Sequence, residues 1–196
     1  MMDKEVVEKM SDVSRNLARM LEMALRGFTT MTEKSVKEAE EFKKEVQKSS
    51  AELASLLISR NARPLLSISS IFDRMGYNIE GIVDRLRRMV QEDIPFSDRA
   101  VKETTHIFQE VIPLLENLPD LIFTRNKMLF QHMEEKSKAL FKEADASAEE
   151  HERRLIEGVC MPKASPVYLG IIESLKAITM HVADLSERIV SLPLKP

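Results

Sequence analysis

Apolar residues recur every three or four positions along most of the chain, a period typical of helices that bury one face. The pattern is clearest in the third predicted helix, which begins near residue 65 and ends near Glu92. Its apolar positions form one uninterrupted stripe: Leu65, Ile68, Phe72, Met75, Ile79, Ile82, Leu86 and Met89. Similar patterns predict a first helix over residues 4–28 and a second that follows the capping-box pair Thr30 and Glu33 and ends near Arg60.

Proline-containing segments separate the remaining predicted helices. The segment DIPFSDRA interrupts the pattern, with Ser97 as the expected N-cap of a fourth helix that runs to about Asn117. Pro119 is expected in the first turn of a fifth helix that reaches about residue 157. Gly158 is well suited to end that helix.

The sixth helix is expected to start after the linker MPKASP and to run to about Leu192, with Ser165 as N-cap and Pro166 in the first turn. Its stripe repeats that of the third helix 103 residues later: Tyr168, Ile171, Leu175, Ile178, Val182, Leu185, Ile189 and Leu192. A shared register after the same order of elements indicates an internal repeat. We expect an all-α fold of two three-helix bundles, residues 1–96 and 97–196, related by pseudo-twofold symmetry and packed as one compact domain.

Composition agrees with a folded helical protein of 196 residues that is 43% hydrophobic and 31% charged. The formal net charge of −3 gives no global field that would attract nucleic acid or an anionic membrane. The single cysteine, Cys160, cannot form an internal disulfide, which suits a reducing cytoplasm. No apolar run approaches the roughly 18 residues of a membrane span, so any membrane contact is expected to be peripheral.

The segment FDRMGYNIEGI, residues 72–82, carries two glycines inside the third helix. Together with EDIPFSDRAVKETTHIFQEVIPLL it resembles the PhoU family, whose third helix reads E-R-I-G-D before an N-I segment. EEHERRLIEGVC and SPVYLGIIESLKAITMHVADLSERI resemble the matching segments of the cytoplasmic PhoU-like domains of sodium/phosphate cotransporters. The residues in those places are His151, Arg154, Leu155, Gly158, Cys160, Ser165, Tyr168 and Leu169.

The resemblance implies a regulator of phosphate uptake that docks to a phosphate transporter or its sensor kinase, in the cytoplasm or at the inner face of the membrane. A homodimer is a further expectation. The resemblance also implies metal clusters held by E-x-x-x-D pairs, because carboxylates four residues apart share a helix face and suit hard cations. Neither nucleic acid nor a transmembrane segment is expected.

The chain departs from the ligand pattern in both repeats. In the first, Asp73 replaces the glutamate and Tyr77 the aspartate, while Arg74 and Gly76 are kept. A weak, degenerate metal site of Asp73, Glu45 and Glu80 is the remaining expectation, with a divalent or iron-type metal that folding does not require. The second-repeat motif positions are Lys176, Met180, His181 and Asp184, and a lysine places a cation where ligands are needed.

Two alternatives stay open beside a regulator. One is a separately encoded tail domain of a sodium/phosphate cotransporter. The other is a metal-binding bundle, either a metal store or a di-metal enzyme, because Glu103 and His106 form one E-x-x-H, a spacing used twice in di-iron bundles. The second copy is missing, and no nucleophile or P-loop motif occurs, so we predict that the protein is not an enzyme.

Overall fold

The structure is a computed structural model that describes residues 3–192, so the ends of the two predicted repeats, 1–2 and 193–196, lie outside it. Six long helices account for almost all of this range. They are α1 (Lys4–Thr30), α2 (Glu33–Ser59), α3 (Leu66–Gln91), α4 (Asp98–Thr124), α5 (Lys127–Ile156) and α6 (Ser165–Ser191), with a short 3-10 turn over Arg63–Leu65 before α3. The predicted all-α fold is confirmed.

Polar side chains cap the starts of four helices. Asp3, Thr32, Ser97 and Asn126 each accept a hydrogen bond from a backbone N–H in the following turn. The capping box predicted from Thr30 is therefore wrong by two residues, because α1 continues through Thr30 and turns at Met31, whose φ of 50° is left-handed. Ser97 is confirmed as the cap of α4.

The predicted boundary between the fourth and fifth helices is wrong. α4 continues through Pro113 and Pro119 to Thr124, and the chain turns at Arg125 instead, with a φ of 49°. A proline inside a helix costs about 3 kcal/mol. Leu118 and Leu121 are fully buried on either side of Pro119, and this burial offsets the cost of continuing the helix.

The start of α6 also differs from the prediction. Ala164 occupies the N-cap position with nearly helical backbone angles, and Ser165 is already the first helical residue. The Ser165 hydroxyl therefore does not cap the helix and is free for tertiary contacts. The end of α5 agrees with the prediction, since Gly158 follows the helix with a φ of 75°, which favours glycine.

The helices pack as two triplets, and the first and third helices of each triplet contact their counterparts in the other. α1 packs on α2 and α3, and α6 packs on α4 and α5. Between the triplets, α1 contacts α4 and α3 contacts α6. These are the pairs that a twofold relation between the triplets would bring together. The stripes of α3 and α6 lie in the core, where all but the end residues Leu65 and Leu192 are at most 1% exposed.

No helix within residues 3–192 is both long and apolar enough to cross a lipid bilayer.

Candidate functional site

The first-repeat motif lines an open groove of about 410 Å³ between α2 and α3, which we call the α2–α3 groove. α3 supplies Asp73, Gly76, Tyr77 and Glu80, and the facing wall from α2 includes Gln47, Ser50, Ala51 and Ala54. A Cβ on Gly76 would lie 3.5 Å from Val46, an ordinary contact, so the glycine is not required for the helices to approach. The α2 wall carries no carboxylate.

Two of the three predicted metal ligands share this groove, and the third does not. Asp73 and Glu80 both line it, whereas Glu45 lies in a separate groove between α1 and α2. Glu80 is already paired, accepting hydrogen bonds from Lys43 at 2.7 Å and Gln47 at 3.0 Å. Within residues 3–192, no three His, Cys, Asp or Glu side chains are grouped so that they could hold a metal ion.

In the second repeat, the ammonium of Lys176 stands at the position equivalent to Asp73. Its Nζ lies 2.6 Å from Asp145, 3.3 Å from Glu173 and 4.8 Å from the centre of the Phe141 ring. The hydrogen bond to Asp145 is the main cause that raises the pKa of Lys176. The Lys176 side chain thus links α6 to α5.

The other second-repeat motif positions diverge. Met180 is 55% exposed, and Asp184 accepts a hydrogen bond from Arg188 at 2.7 Å. Burial, together with the positive charge of Arg74, lowers the pKa of His181.

A polar network that sequence reasoning did not predict joins α4, α5 and α6. Glu103 accepts hydrogen bonds from Arg154 and from the Tyr168 hydroxyl, both at 2.9 Å, and from Arg99 at 2.8 Å. Partial burial opposes ionisation of Glu103, but these hydrogen bonds outweigh it and lower its pKa. Tyr168 is fully buried, and burial followed by the charge of Glu103 raises its pKa.

His151 extends this network towards the loop after α5. Its ring stacks on Tyr168 at 4.2 Å, and its Nε2 lies 3.0 Å from the Ser165 hydroxyl. The Cys160 sulfur lies 4.0 Å from Nδ1, a pairing of cysteine and histidine that the sequence could not identify. All these residues belong to the segments that resemble PhoU.

Glu103 and His106, the E-x-x-H pair, do not point to a shared metal site. Glu103 is engaged in the network, whereas His106 lies 2.9 Å from Glu143 on α5. The two side chains therefore have different partners, and the spacing alone carries no di-iron chemistry.

We expect stability to fall in mildly acidic solution because of His151. Burial, reinforced by the charge of Arg154, lowers the pKa of His151 below its ordinary value of 6.5. The unfolded chain therefore binds the proton more readily, and stability is lost as the pH falls from about 6.5 towards the folded pKa. The urea concentration at the midpoint of unfolding should fall between about pH 7.5 and about pH 5.5. This fall should be smaller in His151→Gln than in the unsubstituted protein. His181→Gln should change the pH dependence in the same direction, since the pKa of His181 is also lowered. An unchanged pH dependence in His151→Gln would contradict this expectation.

Fold and site together define a helical protein of two packed three-helix units, with ion pairs and exposed side chains at the motif positions. It is similar to the crystal structure of PhoU from Pseudomonas aeruginosa, with a TM-score of 0.83 and 15% identity over 95% of this chain and 94% of that one. It is also similar to the phosphate transport system regulatory protein PhoU from Streptococcus pneumoniae, with a TM-score of 0.72 and 16% identity over 95% and 92% of the two chains. No family model and no curated protein matches the sequence. The chain has the PhoU fold, as the sequence resemblance implied.

Proposed function

We propose that the chain is a PhoU-type regulator of phosphate transport that acts by docking to a phosphate transporter or its sensor kinase. The observation that carries this proposal is the fold shared with two PhoU proteins over 95% of the chain. One of them is described as the phosphate transport system regulatory protein. Two of the segments that resemble PhoU in sequence lie in α3 and α6, which are the third helices of the two repeats.

The motif positions support docking more than chemistry. Glu80, Glu103 and Lys176 are each engaged by partners within the chain. In place of the aspartate of the E-x-x-x-D pattern, the first repeat has Tyr77, 76% exposed, and the second has Met180, 55% exposed. Large exposed side chains of this kind are typical of contact surfaces.

This role would place the protein in the cytoplasm, in contact with the inner face of the membrane through its partner. A metal at Asp73 and Glu80 and a homodimer are predictions that purified protein can test directly. Metal analysis without chelator and light scattering are the corresponding measurements.

Deletion of the gene tests the regulatory role. We expect phosphate uptake and phosphate-responsive expression to change, because a docked regulator alters the activity or the signalling of its transporter. Complementation with the intact gene should restore both, which controls for effects on neighbouring genes. Unchanged uptake together with unchanged expression would count against the proposal.

A further inference from the structure

An aromatic ring and a carboxylate one helical turn apart bind a cation on α5. On α5 the pair is Phe141 and Asp145, and it holds the ammonium of Lys176 from α6. The carboxylate accepts a charged hydrogen bond of 2.6 Å, and the ring lies 4.8 Å from the same nitrogen. Both contacts favour a cation, the first by charge and the second by the ring's quadrupole. The pair on α5 therefore binds a lysine ammonium.

Asp73 and Tyr77 on α3 have the same spacing in the reverse order, and no cation among the described side chains pairs with Asp73. Tyr77 is 76% exposed at the α2–α3 groove. Among the residues whose side chains the structure describes, none forms an ion pair or hydrogen bond with the Asp73 carboxylate. In the repeat register Lys176 is the equivalent of Asp73, so this position carries a paired lysine in one repeat and an exposed aspartate in the other.

The walls of the groove favour a cationic side chain over a bare metal ion. The facing wall offers the methyl groups of Ala51 and Ala54 and the hydroxyl of Ser50, but no further carboxylate. Lysine and arginine lay their aliphatic stems along such apolar surface while the charged head reaches a polar group. Small side chains also let the backbone of an approaching helix come close.

We propose that the α2–α3 groove binds a helical segment of a partner protein that places a lysine or arginine against Asp73 and Tyr77. This inference rests on the proposed docking function and specifies the chemistry of the partner. The cation lies between the carboxylate and the ring, as Lys176 does between Asp145 and Phe141. The groove then provides a docking surface in the first repeat, whereas Lys176, the equivalent of Asp73, is bonded within the chain in the second.

Titration of the full chain with two alanine-based helical peptides tests the proposal. The peptides carry either lysines or glutamates along one face and lack tyrosine and tryptophan. The protein has two tyrosines and no tryptophan, and Tyr168 is fully buried, so a change in tyrosine emission reports on Tyr77. We expect the lysine peptide to bind and the glutamate peptide to have no effect.

Calorimetric titration of three variants with the lysine peptide shows whether binding depends on Asp73 and Tyr77. Asp73→Asn and Tyr77→Ala should each weaken binding of the lysine peptide by about tenfold, since each removes one contact to the cation. Met180→Ala is the matched control at the equivalent exposed position and should bind like the native chain.

Other results would overturn the proposal. These are no binding of the lysine peptide, equal affinity for both peptides, or native affinity in Asp73→Asn. Displacement of the peptide by one equivalent of Mn²⁺ would assign the groove to a metal ion, and displacement by phosphocholine to a lipid headgroup. Phosphate uptake is measured separately. A protein that alters uptake but does not bind the peptide would contradict only the groove proposal, whereas one that binds the peptide without altering uptake would contradict only the regulatory role.

Discussion

Glu103→Ala should lower the free energy of unfolding by about 3 kcal/mol, because it leaves a buried guanidinium without its carboxylate. Arg154 is only 7% exposed and donates to Glu103 at 2.9 Å. The same substitution removes the acceptor of the Tyr168 hydroxyl, which is buried as well. Urea denaturation followed by circular dichroism measures the loss.

Arg99→Ala is the control for that result. It removes a donor to the same carboxylate, but the Arg99 side chain is 57% exposed, so the expected cost is below about 1 kcal/mol. Tyr168→Phe removes one hydrogen bond to the Glu103 carboxylate but leaves Arg154 paired, and it should cost about 2 kcal/mol. The network would have no special role in stability if Glu103→Ala cost no more than Arg99→Ala.

Gly170→Ala should destabilise the protein by about 2 kcal/mol, because the added methyl group overlaps the Arg85 side chain where α3 meets α6. A Cβ on Gly170 would lie 2.0 Å from Nε and 2.9 Å from Cδ of Arg85, so the middle of that side chain must move. The movement breaks the hydrogen bond that Arg85 donates to the Gly81 carbonyl at 2.7 Å.

A double-mutant cycle gives this prediction its sharpest test. In an Arg85→Ala background the obstruction is gone, and Gly170→Ala should become neutral or stabilising by up to about 1 kcal/mol, the gain from replacing a helical glycine. Gly81→Ala is the control, since its Cβ would lie 3.0 Å from the tip of Arg85 and in ordinary contact with Ser174 at 3.9 Å. Equal costs of Gly170→Ala in both backgrounds would contradict the assigned contact.

The sequence is sufficient for the parts of the fold that depend on a single helix face. The stripes of α3 and α6 follow directly from their spacing, and both are buried as predicted. The end of α4 could not be read from the chain, because Pro119 is a strong local signal for a helix start. Burial of the surrounding leucines, a tertiary effect, decided the outcome.

The candidate site was only partly predictable for a related reason. Periodicity identifies the buried face of α2 but not which neighbouring helix lies on each flank. Glu45 lies on the flank next to α1, whereas Gln47 and Ala54 lie on the flank next to α3. The network around Glu103 joins residues up to 65 positions apart, so only the three-dimensional packing brings it together.

The contact between α3 and α6 has a consequence for synthesis of the protein on the ribosome. α6 is the last helix of the described range to leave the exit tunnel, and it covers part of the stripe that α3 presents. Until then the nascent first unit exposes apolar surface that no earlier helix can cover. Exposed surface of this kind favours aggregation and chaperone binding. The native arrangement of the first unit is therefore completed late, when the end of the second has emerged.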